Sequence, residues 1–319
     1  MTSEARPREF RPGDVQEVID LWNRCLPADP VTRGIFEDKV LLDPNFDPAG
    51  GRVAEREGRV IGFAYALVRR TPLPWGFESL FEHDRGRGWI FAIFVEEAYR
   101  RQGIGSSLIN QALDFMKAGG AKTIVVGDYA PNYVLSGVDT EAYPGAQEFF
   151  AHHGFAAQGR SYGMGVELYG YQPPADAVEI EQALAPDGIA VEHFSRDFLL
   201  PTLSFLRECF PTWLSLFTDK LQRGHDLDEM VIARRGEEVV GYCQHRYGHH
   251  AERTGPFGVK PELRGRRIGT LMLYRLLARM AQKGFRAGWF AQTGDRQRNY
   301  YERVGYRVIR TQVEMSKEL

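Results

Sequence analysis

Several features that would steer a functional reading are scarce or missing. Cysteine is scarce: Cys25, Cys209 and Cys243 are odd in number and far apart. That excludes a disulfide framework and fits a reducing cytosol. No apolar run approaches the roughly 18 residues that a membrane span needs. The segment Met1 to Phe10 is polar and charged, unlike a secretory signal. Charge of one sign is not in excess: 40 Lys and Arg face 42 Asp and Glu, a net charge of −2. With no basic run, nucleic acid is not an expected partner. The expectation is a cytoplasmic protein without a membrane partner.

What is present is enough chain for two domains: 319 residues, 43% hydrophobic and 26% charged. One pattern also occurs twice. Residues 53–68 and 231–246 both read as strand, charged turn, strand, with Gly58 and Gly236 at the turns. Residues 91–116 match 257–282: a strand ends at Val95 or Val259, and a long apolar-periodic helix opens near Ile104 or Ile268. A closing match sets Phe149-Phe150-Ala-His-His-Gly154-Phe155 against Tyr300-Tyr301-Glu-Arg-Val-Gly305-Tyr306. Three matched segments in one order indicate duplication. The linker is Tyr171 to Asp176, whose Pro pair cannot continue a central strand. The domains are then 1–173 and 174–319. The first half carries extra stretches near 71–88 and 128–144, rich in Gly, Pro and turn residues, which read as loops. Hairpins, helices and strands in this order predict an α/β or α+β fold with a mixed sheet.

Between Val95 and Ile104 lie Arg100, Arg101, Gln102 and Gly103, with Gly105 and Ser106 just inside the helix. A helix start presents unpaired N–H groups, its dipole favours an anion, and glycine lets the backbone come close. The arrangement suits a phosphate, although a plain basic turn is the competing reading of this loop alone. Neither Gly-x-Gly-x-x-Gly nor Gly-Lys-Ser/Thr is present.

Arg100-x-x-Gly103-x-Gly105, five residues after a strand-end Val, resembles the acyl-CoA signature of the GNAT N-acetyltransferases. Phe150-x-x-x-Gly154-Phe155 and Tyr301-x-x-x-Gly305-Tyr306 resemble that family's late helix and strand. The resemblance covers most of both halves. It implies two tandem domains, each a mostly antiparallel sheet of six or seven strands flanked by helices. It further implies acetyl-CoA as co-substrate, with the loop amides on its pyrophosphate and the splayed strand end, Phe94–Val95 or Gly258–Val259, along the pantetheine and the oxyanion. A tyrosine of the late helix protonates the leaving thiolate.

Neither half matches fully. The second loop, Val259-Lys-Pro-Glu-Leu-Arg264-Gly265-Arg266-Arg267-Ile268-Gly269-Thr270, has Arg267 where the family has Gly. A left-handed backbone there costs a non-glycine about 1–2 kcal/mol. The first half has Phe150 at the tyrosine position, and loss of a general acid typically costs about 10²–10⁴ in rate. Tyr133, Tyr143, His152 and His153 are its possible substitutes. This reading assigns catalysis to the second half through Tyr301 and acyl-CoA binding to the first; the converse assignment stays open. Glu252, preceding the second splayed strand, is the candidate general base. Glu78, Glu82, His83 and Asp84 stand in the first half's extra loop, none of them privileged. His245, His249 and His250 have no companion at metal-ligand spacing, so no metal is expected. Trp213 and Trp289 read as core. The expected acceptor is a small-molecule or peptide amine, and the expected assembly a monomer or homodimer. A non-catalytic acyl-CoA sensor and a structural duplication are the alternatives.

Overall fold

The computed structural model describes residues 5–71 and 78–319. Most of the Met1 to Phe10 segment's first half and part of the extra stretch 71–88 therefore lie outside the described residues. In chain order the first half forms β1 (Arg6–Glu9), α1 (Val15–Cys25), α2 (Arg33–Phe36), β2 (Gly51–Arg56), β3 (Arg59–Val68), α3 (Glu78–His83), β4 (Arg87–Val95), α4 (Ile104–Ala118), β5 (Thr123–Val126), β6 (Val138–Asp139), α5 (Ala146–His152) and β7 (Ala156–Glu167). The second forms α6 (Asp176–Leu184), β8 (Ile189–His193), α7 (Leu199–Cys209), α8 (Leu214–Gln222), β9 (Met230–Arg235), β10 (Glu238–Tyr247), β11 (His250–Val259), α9 (Ile268–Gln282), β12 (Ala287–Phe290), α10 (Asp295–Arg303) and β13 (Arg307–Glu318). None of the described helices is long and apolar enough to cross a membrane.

The chain divides into two compact units, but not at residue 173. The first unit takes Leu80–Ser161, the described residues before 72, and Arg310–Leu319; the second takes Tyr162–Ile309. Each unit thus receives its closing strand from the other half of the sequence. In the first, β13 lies antiparallel to β5, with Ser316 opposite Val125, and β6 also pairs with it. In the second, β7 lies antiparallel to β12, with Gly165 opposite Trp289. The repeat explains the exchange, because β7 and β13 are equivalent strands of equivalent sheets. The linear boundary 1–173 and 174–319 leaves out these closing strands. The 128–144 stretch, expected as loop, contributes β6, and α3 falls within 71–88.

Each unit is a mixed sheet of mostly antiparallel strands with a single parallel step, β4 on β5 and β11 on β12. Gly58 and Gly236 turn the hairpins β2–β3 and β9–β10 with φ of 77° and 60°, the left-handed backbone that glycine adopts without strain. Helices cover both faces, so β3 is buried at every position after its first. In the second unit alternate residues divide between two cores. Met230, Ile232 and Tyr242 meet α7 and α8, whereas Val231, Ala233 and Cys243 meet α9. In the first, α1 packs Trp22 on Phe91 and Phe94, and α4 packs Ile109 and Met116 on the opposite face.

Candidate active site

Two loops follow the parallel step, one in each unit. After Val95 a short turn, Glu97–Tyr99, leads to Arg100 in extended conformation. Arg101 and Gly103 then take φ of 60° and 81° before α4 begins. After Val259 the same turn, Pro261–Leu263, leads to an extended Arg264. Gly265 and Arg267 follow at 81° and 64°. Each loop therefore needs two left-handed residues, two apart, and each supplies one glycine and one arginine. The strain expected at Arg267 is present; its counterpart at Arg101 was not foreseen, so the first loop is no less strained than the second.

Arg100 donates from Nε to the Val95 carbonyl at 2.9 Å, and Arg264 to that of Val259 at 3.3 Å. Both arginines tie the loop to its strand end. The first helical main-chain bonds are Ser107 N–H to Gly103 and Leu271 N–H to Arg267. Among the described residues, the N–H groups of Arg101, Gln102, Gly103, Ile104, Gly105 and Ser106 find no main-chain acceptor, and neither do those of Gly265, Arg266, Arg267, Ile268, Gly269 and Thr270. Arg101, Gln102 and Gly103 are exposed, as are Gly265 and Arg267, while Ile104 and Ile268 anchor each helix in the core. Such a cluster of free N–H groups at a helix start suits an anion. The second loop's free cations are already engaged: Arg266 pairs with Asp187 and Arg267 with Asp176. Asp176 opens α6, and Asp187 ends the short turn that follows it.

Beyond these loops the parallel strands part. The first pair holds from Arg87 opposite Thr123 to Ile90 opposite Val126, then separates. The second pair meets only at Arg253 and Trp289. What fills the gap differs. In the first unit Phe94 and Val95 are buried, with Phe94 edge-on to Trp22. In the second unit a cleft of about 900 Å³ runs along Phe257, Gly258 and Val259, the loop from Arg264 to Thr270, and the start of α10. Neighbouring strand residues face opposite ways. Phe257 points to Gly269, where an added Cβ would stand 2.6 Å from its ring. Gly258 faces Phe210 and Trp213, whose rings are parallel at 4.0 Å; a Cβ on it would stand 2.5 Å from Phe210. Both aromatic rings line the cleft, so Trp213 is a wall residue as well as a core neighbour.

Tyr300 and Tyr301 also line it. Tyr301 lies against Phe290 and Tyr306, with centroids 4.5 and 5.5 Å away. Tyr300 lies parallel to Phe257 at 5.9 Å. Its hydroxyl is sealed from solvent without a hydrogen bond of good geometry, although Thr270 is near enough to favour ionisation slightly. Burial pushes both phenols well above the ordinary tyrosine range, so both stay protonated. In the first unit the equivalent Phe150 is core, edge-on to Phe155. Two of its suggested substitutes are occupied elsewhere: Tyr143 donates to Asp29 at 2.5 Å, and His153 bonds the Phe149 carbonyl with its ring tilted against that of Phe149.

Glu252 does not line the cleft; it stands half-exposed with its carboxylate 4.0 Å from His250. His245 does not join His249 and His250 at the surface. It is fully buried, bonded to the Ala251 carbonyl, and pushed down to about 4 by burial. Cys243 is buried in β10, and burial raises its thiol far above the ordinary value. Asp176, Tyr274, Arg296, Gln297 and Arg303 complete the wall. Sequence reading does not single these out: Tyr274 and Arg303 sit at open positions within the repeated segments, and Asp176, Arg296 and Gln297 lie outside them.

Comparison with known proteins matches residues 15–155 and 196–306 to the acetyltransferase (GNAT) family. A mycothiol acetyltransferase of Acidimicrobium ferrooxidans is 30% identical over 114 residues, 34% of this chain and 33% of that protein. A phosphinothricin N-acetyltransferase of Streptomyces viridochromogenes is 31% identical over 144 residues, 41% of this chain and 71% of that protein. The chain thus spans about a third of the first relative's length. Among solved structures, a tandem GNAT protein from the clavulanic acid biosynthesis pathway superposes with a TM-score of 0.68 over 99% of this chain and 98% of its own, at 16% identity. At that identity the likeness is one of fold.

Proposed function

The chain belongs to the acetyltransferase (GNAT) family, and from that premise we propose that it transfers an acetyl group from acetyl-CoA to a primary amine by direct attack. We assign the chemistry to the second unit. One observation carries the assignment: free loop amides, an unzipped strand edge and a protonated tyrosine line a single cleft there. The amides of Gly265 to Thr270 take the pyrophosphate. The open edge of β11 guides the pantetheine arm, and a main-chain N–H near Gly258 or Val259 receives the oxyanion.

The amine's lone pair forms the new C–N bond on the thioester carbonyl. Collapse of the tetrahedral adduct breaks the C–S bond, and the sulfur leaves with its electron pair. Tyr301 gives that sulfur its proton and is reprotonated by the proton the nitrogen loses, relayed by water. An ordinary tyrosine, near 10, is a weaker acid than a thiol near 8.5. Apolar surroundings raise both acids alike, so the transfer depends on a hydrogen bond from Tyr301 to the sulfur as the thiolate forms. Glu252 lies outside this cleft, so water takes its place as proton acceptor. A second reading suits the first unit: its loop amides are equally free, but Phe150 is core, which favours acyl-CoA binding without transfer.

Two measurements test the proposal. Acetyl-CoA at about 100 times its dissociation constant should stabilise the protein by about 2.7 kcal/mol. Thiol release in the presence of primary amines should fall about 10²–10⁴-fold in Tyr301→Phe. No stabilisation at millimolar acetyl-CoA overturns the function, and unchanged turnover in the variant overturns the role of Tyr301.

A further inference from the structure

We infer that the acceptor is a monoamine with a flat, apolar body, and that Phe210 and Trp213 bind that body. The inference rests on the acyl-transfer reading of the second unit and concerns what meets the thioester from the other face of the sheet. The donor side of the cleft lies on the α9 and α10 face, where Phe257, Gly269 and Tyr300 converge. Gly258, the next residue along β11, turns to the α7 and α8 face. An acceptor approaching the carbonyl from that face meets the parallel rings of Phe210 and Trp213, which line the cleft. Glycine at 258 is what lets the rings come so close, since any side chain there would overlap both. In the first unit the same strand position is Phe94, packed on Trp22.

The charges on the wall point the same way. Arg264, Arg267, Arg296 and Arg303 all line the cleft. Among the described residues its lining carboxylate is Asp176, which Arg267 already holds. Glu208, at the end of α7, is engaged by Lys260. A polyamine or aminoglycoside brings further ammonium groups that need carboxylates; among the described residues the Phe210 and Trp213 side of the lining supplies none, and the guanidinium groups on the α9 and α10 side oppose a polycation entering the cleft. A single amine on a planar apolar body has no such conflict: it loses its one charge before attacking, and its ring gains aromatic contact.

The test uses the full-length protein with acetyl-CoA and four amines: benzylamine, cyclohexylmethylamine, spermidine and kanamycin. Benzylamine should exceed spermidine and kanamycin in kcat/KM by at least about tenfold, and exceed the non-planar cyclohexylmethylamine by a smaller margin. Trp213→Ala should raise the KM for benzylamine about tenfold while moving that for acetyl-CoA less than twofold, and Trp213→Phe should restore most of the loss. The thermal shift with acetyl-CoA serves as the folding control for each variant. Preference for spermidine or kanamycin overturns the inference and leaves acyl transfer standing. So does stabilisation by acetyl-CoA with no turnover of benzylamine, or a Trp213→Ala effect equal on both substrates. Absence of both stabilisation and turnover removes the acyl-transfer reading as well.

Discussion

The two units share a topology and a loop geometry, and differ in what lies beyond the loop. In the first, the parted strand end is covered, Phe94 packs on Trp22, and Phe150 sits in the core. In the second, glycine replaces the strand phenylalanine, the cleft stays open, and two tyrosines line it. A duplicated fold can thus keep the same loop twice, because the loop is main-chain geometry. What lies beyond it depends on side chains, with Phe94 and Phe150 in the first unit where the second has Gly258 and Tyr301. The largest expected effect follows from this difference. Tyr301→Phe should lower kcat about 10²–10⁴-fold. The reciprocal Phe150→Tyr should add no activity and should destabilise the protein by about 1–3 kcal/mol through a buried, unpaired hydroxyl. Turnover that survives in Tyr301→Phe and rises in Phe150→Tyr would move the chemistry to the first unit.

Acid should separate the units next. His245 is buried in the second, facing Glu229, Lys220 and Lys283. Its folded value, about 4, lies below the ordinary 6.5 because burial disfavours the cation. The unfolded chain therefore binds the proton first, and stability falls as pH drops below about 6.5. By pH 5 the loss is about 2 kcal/mol. Glu229, held below its ordinary range by Lys220 and Arg246 against the opposing effect of burial, adds to the loss only at lower pH. In the first unit Asp84 runs the other way: burial raises it, so its own titration does not weaken that unit in mild acid. Calorimetry from pH 7 to 5 should show the second unit losing stability first, with a flatter slope in His245→Phe. Equal slopes in the two proteins would exclude His245 as the cause.

A smaller effect concerns the cradles. Asp176 holds Arg267 beside the second loop, whereas among the described residues Arg101 of the first loop has no ion-pair partner. A carboxylate beside a pyrophosphate site opposes the ligand, so Asp176→Asn should tighten acyl-CoA binding to the second unit by roughly tenfold, or about 1.4 kcal/mol. Titration calorimetry reads this directly. Weaker binding would instead make the pair a scaffold for the loop.

How much of this the sequence carried depends on whether the cause was local. The repeat, the hairpin glycines and both cradles were legible, because each rests on a short pattern with a fixed backbone consequence. Arg267 in a left-handed position was legible by comparison with Gly103. Arg101 was not, since the pattern there admits any residue and only the backbone shows the strain. The exchange of β7 and β13 was hidden for the same reason that duplication was plain: equivalent strands fit either sheet, and nothing local marks which one they join. Glu252 has a sequence position that suits a base, but its side chain stands outside the cleft. Trp213 reads as core because an aromatic wall and an aromatic core have the same composition; the clue is Gly258, a glycine where the first copy has Phe94.

The smallest effect sharpens the comparison most, because it isolates one term. Arg101→Gly relieves a left-handed residue, worth about 1–2 kcal/mol. Against this, glycine loses roughly 0.5–1 kcal/mol more backbone freedom on folding. The net expectation is a gain of about 0.5–1 kcal/mol in the first unit. Arg267→Gly relieves the same strain at the same entropy cost, but also breaks the pair with Asp176, whose two side chains are half-exposed. Such surface pairs contribute about 0–1 kcal/mol, so this substitution should leave stability nearly unchanged. The difference between the two variants, read by denaturant unfolding without ligand, measures the Arg267–Asp176 pair in place. If Arg267→Gly stabilises as much as Arg101→Gly, the pair contributes nothing to the fold, and the carboxylate's remaining influence is on the anion beside it.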